Sequence, residues 1–421
     1  MQVRKKNTYQ SLIQSDHKET DEFGENGVPL HHSVTTEIDN VPLIQPDEDP
    51  IDFRYLDSLA REVVKPIIEN YFRAELIGAE KIPDRGPYIL ATNHSGNAFP
   101  HDAIILDGLI WISKGLRKDM KLRSVYAPKL SATWWMRPYG IDDWWRRCGG
   151  IDMKFRNYDY LMQHGGRVIY YPEGIPGIGK GFNRRYQLQH FYSSFVVMAA
   201  KHHAPVYPVY SINSEWVNPT SITFKWLDYL SDRFLNIPFL PMPAAIIALF
   251  FPFFFYLAFP ANMKFVVGDP IDVRSRLTEM GTDPDHPDKN VIQQLADCIR
   301  RQMQGQLDHN LEIYGKKPYD YPGLKASFQK LGWRTFRYTP FGWPFLFIKH
   351  ARDQHRGPAG NRFIKWLRDL DIWAYFIPLG WIIISLCRQL RKPPYGYRGL
   401  SKRERLKKEG KYLWMLDQQQ L

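Results

Sequence analysis

The sequence predicts an α/β domain, on three observations. Apolar runs of strand length are bounded by Pro and Gly turn signals. Between them lie segments with apolar residues three and four apart, the period of a helix packed on one face. The two kinds of segment alternate along the chain instead of falling in separate blocks, which favours strands covered by helices.

The elements follow in order. Met1 to about Asp49 is polar and charged with little periodicity, and reads as a disordered or loosely attached tail (1–50). From Ile51 to Phe72, the spacing of Phe53, Leu56, Leu59, Val63, Val64, Ile67 and Ile68 predicts an amphipathic helix. The runs AELIGA and PYILATN, separated by Pro83-Asp84-Arg85-Gly86, predict two strands. A helix is expected from about Asp102 to Leu116, then a strand at KLRSVYA, then a Trp-dense stretch, ATWWMRPYGIDDWWRRCGG. A helix over about Asn157–His164 precedes the strand GRVIYYPEG and a glycine-rich basic loop, GIPGIGKGFNRRYQ. A helix in SSFVVMAAKHHAP stops at Pro205, and VYPVYSIN is a strand. MKFVVGDPIDV returns to strand character, and VIQQLADCIRRQMQGQLDHNL is an amphipathic helix that closes the domain, 51–320.

Two apolar segments stand apart from this alternation. No charged residue occurs from Phe234 to Met263, a run longer than the ~20 residues a spanning helix needs. Pro238, Pro241, Pro243, Pro252 and Pro260 interrupt it, so a hairpin or a surface-inserted segment competes with a span. A second apolar segment lies between Asp371 and Arg388, is short for a span and contains Pro378; spanning, re-entrant and interfacial readings stay open. A strongly basic tail follows, and 321–421 reads as a membrane-associated extension. Basic residues beside an apolar segment are each attracted to an anionic leaflet by roughly 1 kcal/mol, which places this tail on the cytoplasmic face.

The net charge of +12 calls for an anionic partner. The basic clusters flank apolar segments, and no stacking platform or zinc pattern is present, so a membrane surface is expected and nucleic acid is not. Cys148, Cys298 and Cys387 are three and widely spaced, which fits neither a disulfide framework nor a zinc site. His202-His203 near a helix end reads as a positive cap, with metal binding the weaker alternative. Trp134, Trp135, Trp144 and Trp145 suit either core or an interfacial platform. Glu215 either lines the site or sits in a solvated loop.

Two pieces carry chemistry. ATNHSGNAFPHDA lies where a strand ends and a helix begins. Attack of a hydroxyl on a carbonyl needs a base, and histidine has a suitable pKa. A carboxylate on the other ring nitrogen would fix the tautomer and steady the imidazolium. His94 and Asp102 offer such a pair, with His101 as a rival base. The second piece is RVIYYPEGIPGIGKGFNRRYQ. Its glycines present N–H groups to an anion, and Lys180, Arg184 and Arg185 add positive charge.

Together and in this order, Asn93-His94, Tyr171-Pro172-Glu173-Gly174, Gly177-Ile178-Gly179-Lys180 and Ala204-Pro205-Val206-Tyr207-Pro208-Val209 resemble the glycerolipid acyltransferase family, over about Phe72–Val273 and closest to a bacterial branch. The resemblance implies a mixed sheet flanked by helices, with the apolar membrane-associated insertion (234–263) and C-terminal extension added to it. It implies His94 as general base and Asp102 as its partner. Asn93, Arg156, Glu173, Gly174, Lys180 and Arg184 are the expected substrate-binding residues. Two departures stand out. Seven residues, Ser95 to His101, separate His94 from Asp102 where the family's common pattern has four, and Pro100 can end an inserted loop. The arginine of the family's second block matches Arg156 only with a one-residue offset, and Lys154 competes for the role.

The implied reaction is phospholipid-type O-acylation of a lysophospholipid or related glycerolipid at the cytoplasmic face of a bacterial inner membrane. The acyl thioester donor is acyl-CoA or acyl carrier protein, with no metal, no cofactor and no acyl-enzyme. A non-phosphorylated acceptor is the second expectation, because such an acceptor needs no arginine. A catalytically silent membrane scaffold or lipid carrier is the third.

Overall fold

The computed structural model describes residues 51–95, 99–126, 144–153, 155–235, 237, 239–356 and 360–390. The polar tail, the basic tail, Trp134, Trp135, Lys154 and the side chain of Arg156 lie outside what is described.

Seven strands form one sheet: β1 Glu75–Ile77, β2 Tyr88–Thr92, β3 Arg123–Tyr126, β4 Ile151–Asp152, β5 Arg167–Tyr170, β6 Val206–Ile212 and β7 Lys264–Val267. Their order is β1-β7-β6-β2-β5-β3-β4. All neighbours are parallel except β6 and β7, so the sheet is mixed. β2 is central and buried at every position, as its uninterrupted apolar run requires of a strand covered on both faces. Its side chains alternate between two cores. Tyr88 and Leu90 face one, and Ile89 and Ala91 face the other.

The helices used below are α1 Phe53–Leu59, α2 His101–Ser113, α3 Gly174–Ile178, α4 Ser194–Lys201, α5 Lys225–Leu235, α6 Ala244–Phe250, α7 Lys289–Tyr314, α8 Arg362–Arg368 and α9 Trp381–Leu390. α7 begins where the Asp288 carboxylate accepts the N–H groups of Asn290 and Val291, at 2.8 and 3.3 Å. It buries Ile292, Leu295, Ala296, Ile299, Met303 and Leu307, the stripe its periodicity predicts.

The structure differs from the sequence reading at four places. The single helix expected over Ile51–Phe72 is α1 continued by two π-helical turns, Ala60–Val64 and Ile67–Phe72. Pro66 lies between them, in the right-handed helical region; lacking an N–H and crowding the preceding turn, it disfavours a regular i→i−4 ladder there. The glycine-rich segment expected as a loop contains α3 and a 3₁₀ turn, Phe182–Arg184.

The third place is the uncharged run 234–263, which is broken at its prolines and divides its apolar side chains. Phe253, Tyr256, Ala258, Ala261 and Met263 are buried in the core, whereas Ile246, Leu249, Phe250 and Phe259 are exposed. No helix among the described residues is long and apolar enough to cross a membrane.

The fourth place is the C-terminal extension, which shares a core with the domain. Trp343, Leu346, Tyr375 and Ile384 pack in the same cluster as Tyr55, Ile67 and Phe72. Polar contacts reinforce this packing. His350 Nε2 lies 2.8 Å from Ser58 Oγ, and Arg352 bridges Asp369 and Asp371 at 3.0 and 2.6 Å. Trp144 packs against the same core and donates its indole N–H to Tyr55 Oη at 2.9 Å, a core contact in place of an open platform.

Candidate active site

β6, β2 and β5 are adjacent and parallel, so their carboxyl ends open on the same edge of the sheet. In open α/β sheets that edge is where ligands bind. The chain leaves β2 into Asn93-His94, β5 into Tyr171-Pro172-Glu173 and β6 into Asn213-Ser214-Glu215. Topology alone thus gathers residues from three distant parts of the sequence.

Asn93 fixes the exit of β2. Its carbonyl accepts the Ser211 N–H at 2.8 Å and its amide donates to the Ser211 carbonyl at 3.2 Å. The sequence placed Asn93 among substrate contacts; with its side chain turned onto β6, its observed work is to hold the strand end.

His94 Nδ1 lies 3.3 Å from Asp102 Oδ2, and the same oxygen accepts the Ser95 N–H at 3.0 Å. Of the residues between them, Ser95 directly follows His94, and Phe99 and Pro100 lie directly before α2. Asp102 is in the first turn of α2, where the helix dipole favours negative charge by about 0.3–1 kcal/mol, more when partly buried. Burial works to raise the Asp102 carboxyl. The hydrogen bond and charge of His94, with the N–H groups of Ser95 and Ala103, prevail and hold it below its ordinary value. The His94 side chain keeps 12% exposure, against 1% for Asp102, so the imidazole is the member of the pair open to a ligand. Its ring lies flat on Tyr171, with centroids 3.8 Å apart and planes 12° from parallel.

His101, the rival base, is buried among Phe72, Phe99 and Trp343. Burial lowers its pKa to about 4, which leaves it neutral and enclosed. Its packing partners account for it as a core residue.

Glu173 is fully buried. One carboxylate oxygen accepts the His94 N–H at 2.9 Å and the other accepts the Gln189 N–H at 2.8 Å. Both oxygens are therefore engaged by the main chain, and Glu173, expected from sequence to orient the acceptor, is placed as a strut under the His94 backbone. Two glycines permit this. Gly174 has φ +56°, and a Cβ on Gly177 would lie 2.4 Å from Glu173 Cβ, so α3 closes over Glu173 only because Gly177 has no side chain.

Lys180 and Arg184, expected at an acceptor phosphate, also face inward. Lys180 is fully buried, its Nζ 3.5 Å from Glu215 Oε1 and 3.9 Å from Glu173 Oε2. Arg184 donates to the Lys180 carbonyl and Thr223 Oγ1, both at 2.9 Å. Arg185 is exposed and stands over the Phe182 ring, 4.7 Å from its centroid. Glu215 is buried, not solvated, and desolvation pushes it up to about 7 against the opposing pull of Lys180. His202 Nε2 lies 2.7 Å from Asp159 Oδ1 just past the end of α4. No group of three potential metal ligands occurs among the described residues.

A small apolar cavity of about 20 Å³, room for about one water molecule, lies beside the start of α2. It is lined by Val64, Ile67, Phe72, Phe99, His101, Ile104, Ile105, Trp343 and Phe347. Two of these residues, Trp343 and Phe347, come from the C-terminal extension.

A mixed α/β sheet with a His–Asp pair at the carboxyl ends of parallel strands is the class of protein that emerges. Comparison with known proteins shows what the chain is similar to. Residues 73–212 match the family model described as Acyltransferase, a segment that contains His94, Asp102, Glu173 and Lys180. An uncharacterised protein of Mycobacterium tuberculosis strain H37Rv is 27% identical over 267 residues, covering 61% of this chain and 67% of the relative. An uncharacterised protein of Mycobacterium leprae is 25% identical over 267 residues, covering 61% and 65%. Among solved structures, the 1-acyl-sn-glycerophosphate (LPA) acyltransferase PlsC from Thermotoga maritima aligns at 14% identity and TM-score 0.32, over 61% of this chain and 86% of that one.

Proposed function

We propose that the protein is an O-acyltransferase that moves a fatty acyl group from an acyl thioester to a hydroxyl of a lysophospholipid or related glycerolipid. The observation that carries this reading is the His94–Asp102 pair at 3.3 Å, with His94 its exposed member. With Nδ1–H donated to Asp102, the Nε2 lone pair is free to act as base. The acceptor hydroxyl gives its proton to Nε2 as its oxygen bonds to the thioester carbonyl. The tetrahedral adduct then expels the thiolate, which takes the proton back from the imidazolium. No acyl-enzyme forms, and acyl-CoA or acyl carrier protein serves as donor. General-base catalysis of this kind contributes roughly 10²–10⁴-fold.

A non-phosphorylated acceptor is the second reading, and one observation favours it: Lys180 and Arg184 are engaged within the protein. A panel of phosphorylated and non-phosphorylated acceptors with one labelled acyl-CoA, analysed by lipid mass spectrometry, decides between them. Absence of product with every acceptor, under conditions where vesicle binding is intact, would leave the scaffold reading.

Membrane docking is part of the proposal. The two uncharged segments meet: the Leu379 N–H donates to the Phe250 carbonyl at 2.6 Å, and Phe253 stacks on Phe376 with centroids 5.4 Å apart. Around this junction Ile246, Leu249, Leu379, Ile382 and Leu386 are exposed, as are Phe363, Ile364 and Trp366 of α8. A surface of this kind is monotopic in character and suits the cytoplasmic face of a bacterial inner membrane, with the basic tail meeting anionic headgroups.

A further inference from the structure

The reaction above makes no use of the ammonium of Lys180. It is fully buried, makes no hydrogen bond among the described residues, and sits between two carboxylates that are themselves buried, Glu173 and Glu215. A lysine in a glycine-rich basic segment would ordinarily be a solvated or phosphate-contacting side chain, and burying its charge needs a reason.

Glu173 supplies the reason. Each of its two oxygens accepts a backbone N–H, from His94 and from Gln189. Those two bonds hold the carboxyl in a site that excludes water, where an opposite charge is the partner it lacks. Among the described residues Lys180 stands within ion-pair distance of it. Glu215, from the exit of β6, faces the same Nζ and also accepts the Tyr186 N–H at 3.3 Å. One ammonium thus ties together two buried carboxyls from different strand ends, and burial raises that of Glu215 to about 7.

We propose that Lys180 is a positioning residue, bridging Glu215 to Glu173 so that the Glu173 carboxyl is held in place and fixes the main chain beneath His94. This rests on the acyl-transfer reading for its effect on rate, though not for its effect on structure. Lys180 acts through Glu173 and the His94 N–H, and touches neither acyl donor nor acceptor.

The test uses the full chain with Lys180→Met and Lys180→Met/Glu215→Gln. The single variant leaves two buried carboxylates without a cation and is expected to melt lower. The double variant removes one of those charges, which keeps the measurement interpretable. In the double variant kcat is expected to fall about 100-fold, the scale of a small misplacement of a catalytic group, with KM for the acceptor little changed. Hydrogen exchange at the His94 amide is expected to speed up, while the peptide covering β2 keeps its protection. Wild-type kcat together with wild-type protection at His94 would overturn the proposal. So would an unchanged kcat with a raised KM confined to phosphorylated acceptors, which is the signature of direct phosphate contact. A wild-type protein that acylates no acceptor defeats the acyl-transfer reading, and the exchange measurement still decides the role of Lys180.

Discussion

The imidazole of His94 and the phenol of Tyr171 are stacked face to face, 3.8 Å between centroids and 12° from parallel. The stack fixes the plane of the ring that Asp102 can only hold by one edge. The Tyr171 hydroxyl is buried and makes no hydrogen bond among the described residues. Burying an unpaired hydroxyl costs about 1–3 kcal/mol. Tyr171→Phe is therefore expected to keep kcat and raise the melting temperature. Tyr171→Ala should lower kcat by roughly ten-fold or more through loss of ring orientation. Activity assays and thermal melts on the two variants check this, and a large loss of kcat in Tyr171→Phe would give the hydroxyl a chemical role.

Asp102 holds the Nδ1 side of His94. Asp102→Asn keeps the shape of the side chain and removes its charge, so the tautomer with Nδ1–H is no longer favoured. The expected loss in kcat is on the order of 10²–10⁴, similar to that of His94→Ala, with vesicle binding unaffected. Full activity in either variant contradicts the proposed base.

Glu215 links pH to stability. Its folded pKa is raised to about 7 by burial, against an ordinary value of 4.5. The folded state therefore binds more protons than the unfolded chain between about pH 4.5 and 7, and stability falls as pH rises through that window. Linkage puts the difference at about 3 kcal/mol. His101, lowered to about 4, acts in the opposite sense and loses stability below about pH 6.5, so the wild-type curve alone is ambiguous. The difference between wild type and Glu215→Gln isolates the carboxyl. The variant should gain on wild type as pH rises from 5 to 8 in denaturant titrations, and parallel curves would show that Glu215 does not titrate there.

The parts of the fold visible in the sequence were those with a strong local signal. β2 was legible because Tyr88–Thr92 is an apolar run between a Gly-Pro turn and a polar loop, and α7 because its stripe repeats over 26 residues. His94 and Glu173 were legible from their motifs, yet the work of Glu173 was not. That depends on which backbone N–H groups the fold aims at it, and Gln189 has no sequence signal for that task. Lys180 was misplaced for a similar reason. In a glycine-rich basic segment it resembles a surface cation, and only the position of Glu215, 35 residues later and on another strand end, makes an interior site tolerable. The uncharged run was misleading in part because Phe239, Phe253, Tyr256, Ala258, Ala261 and Met263 fill the protein's own core.

The order of the sheet bears on how the chain can be cut. β1 stands at one edge and, among the described residues, pairs with β7 alone, and β7 joins it to β6. A fragment ending near residue 212 would retain every motif side chain named above, yet β1 would have lost its ladder and the Phe265 and Val267 beneath it. The helix that precedes β1 would then have little to lean on. The matched segment 73–212 is accordingly not an autonomous folding unit. The smallest excisable piece must run on through β7 and α7, which sets the boundary for any minimal version of the protein.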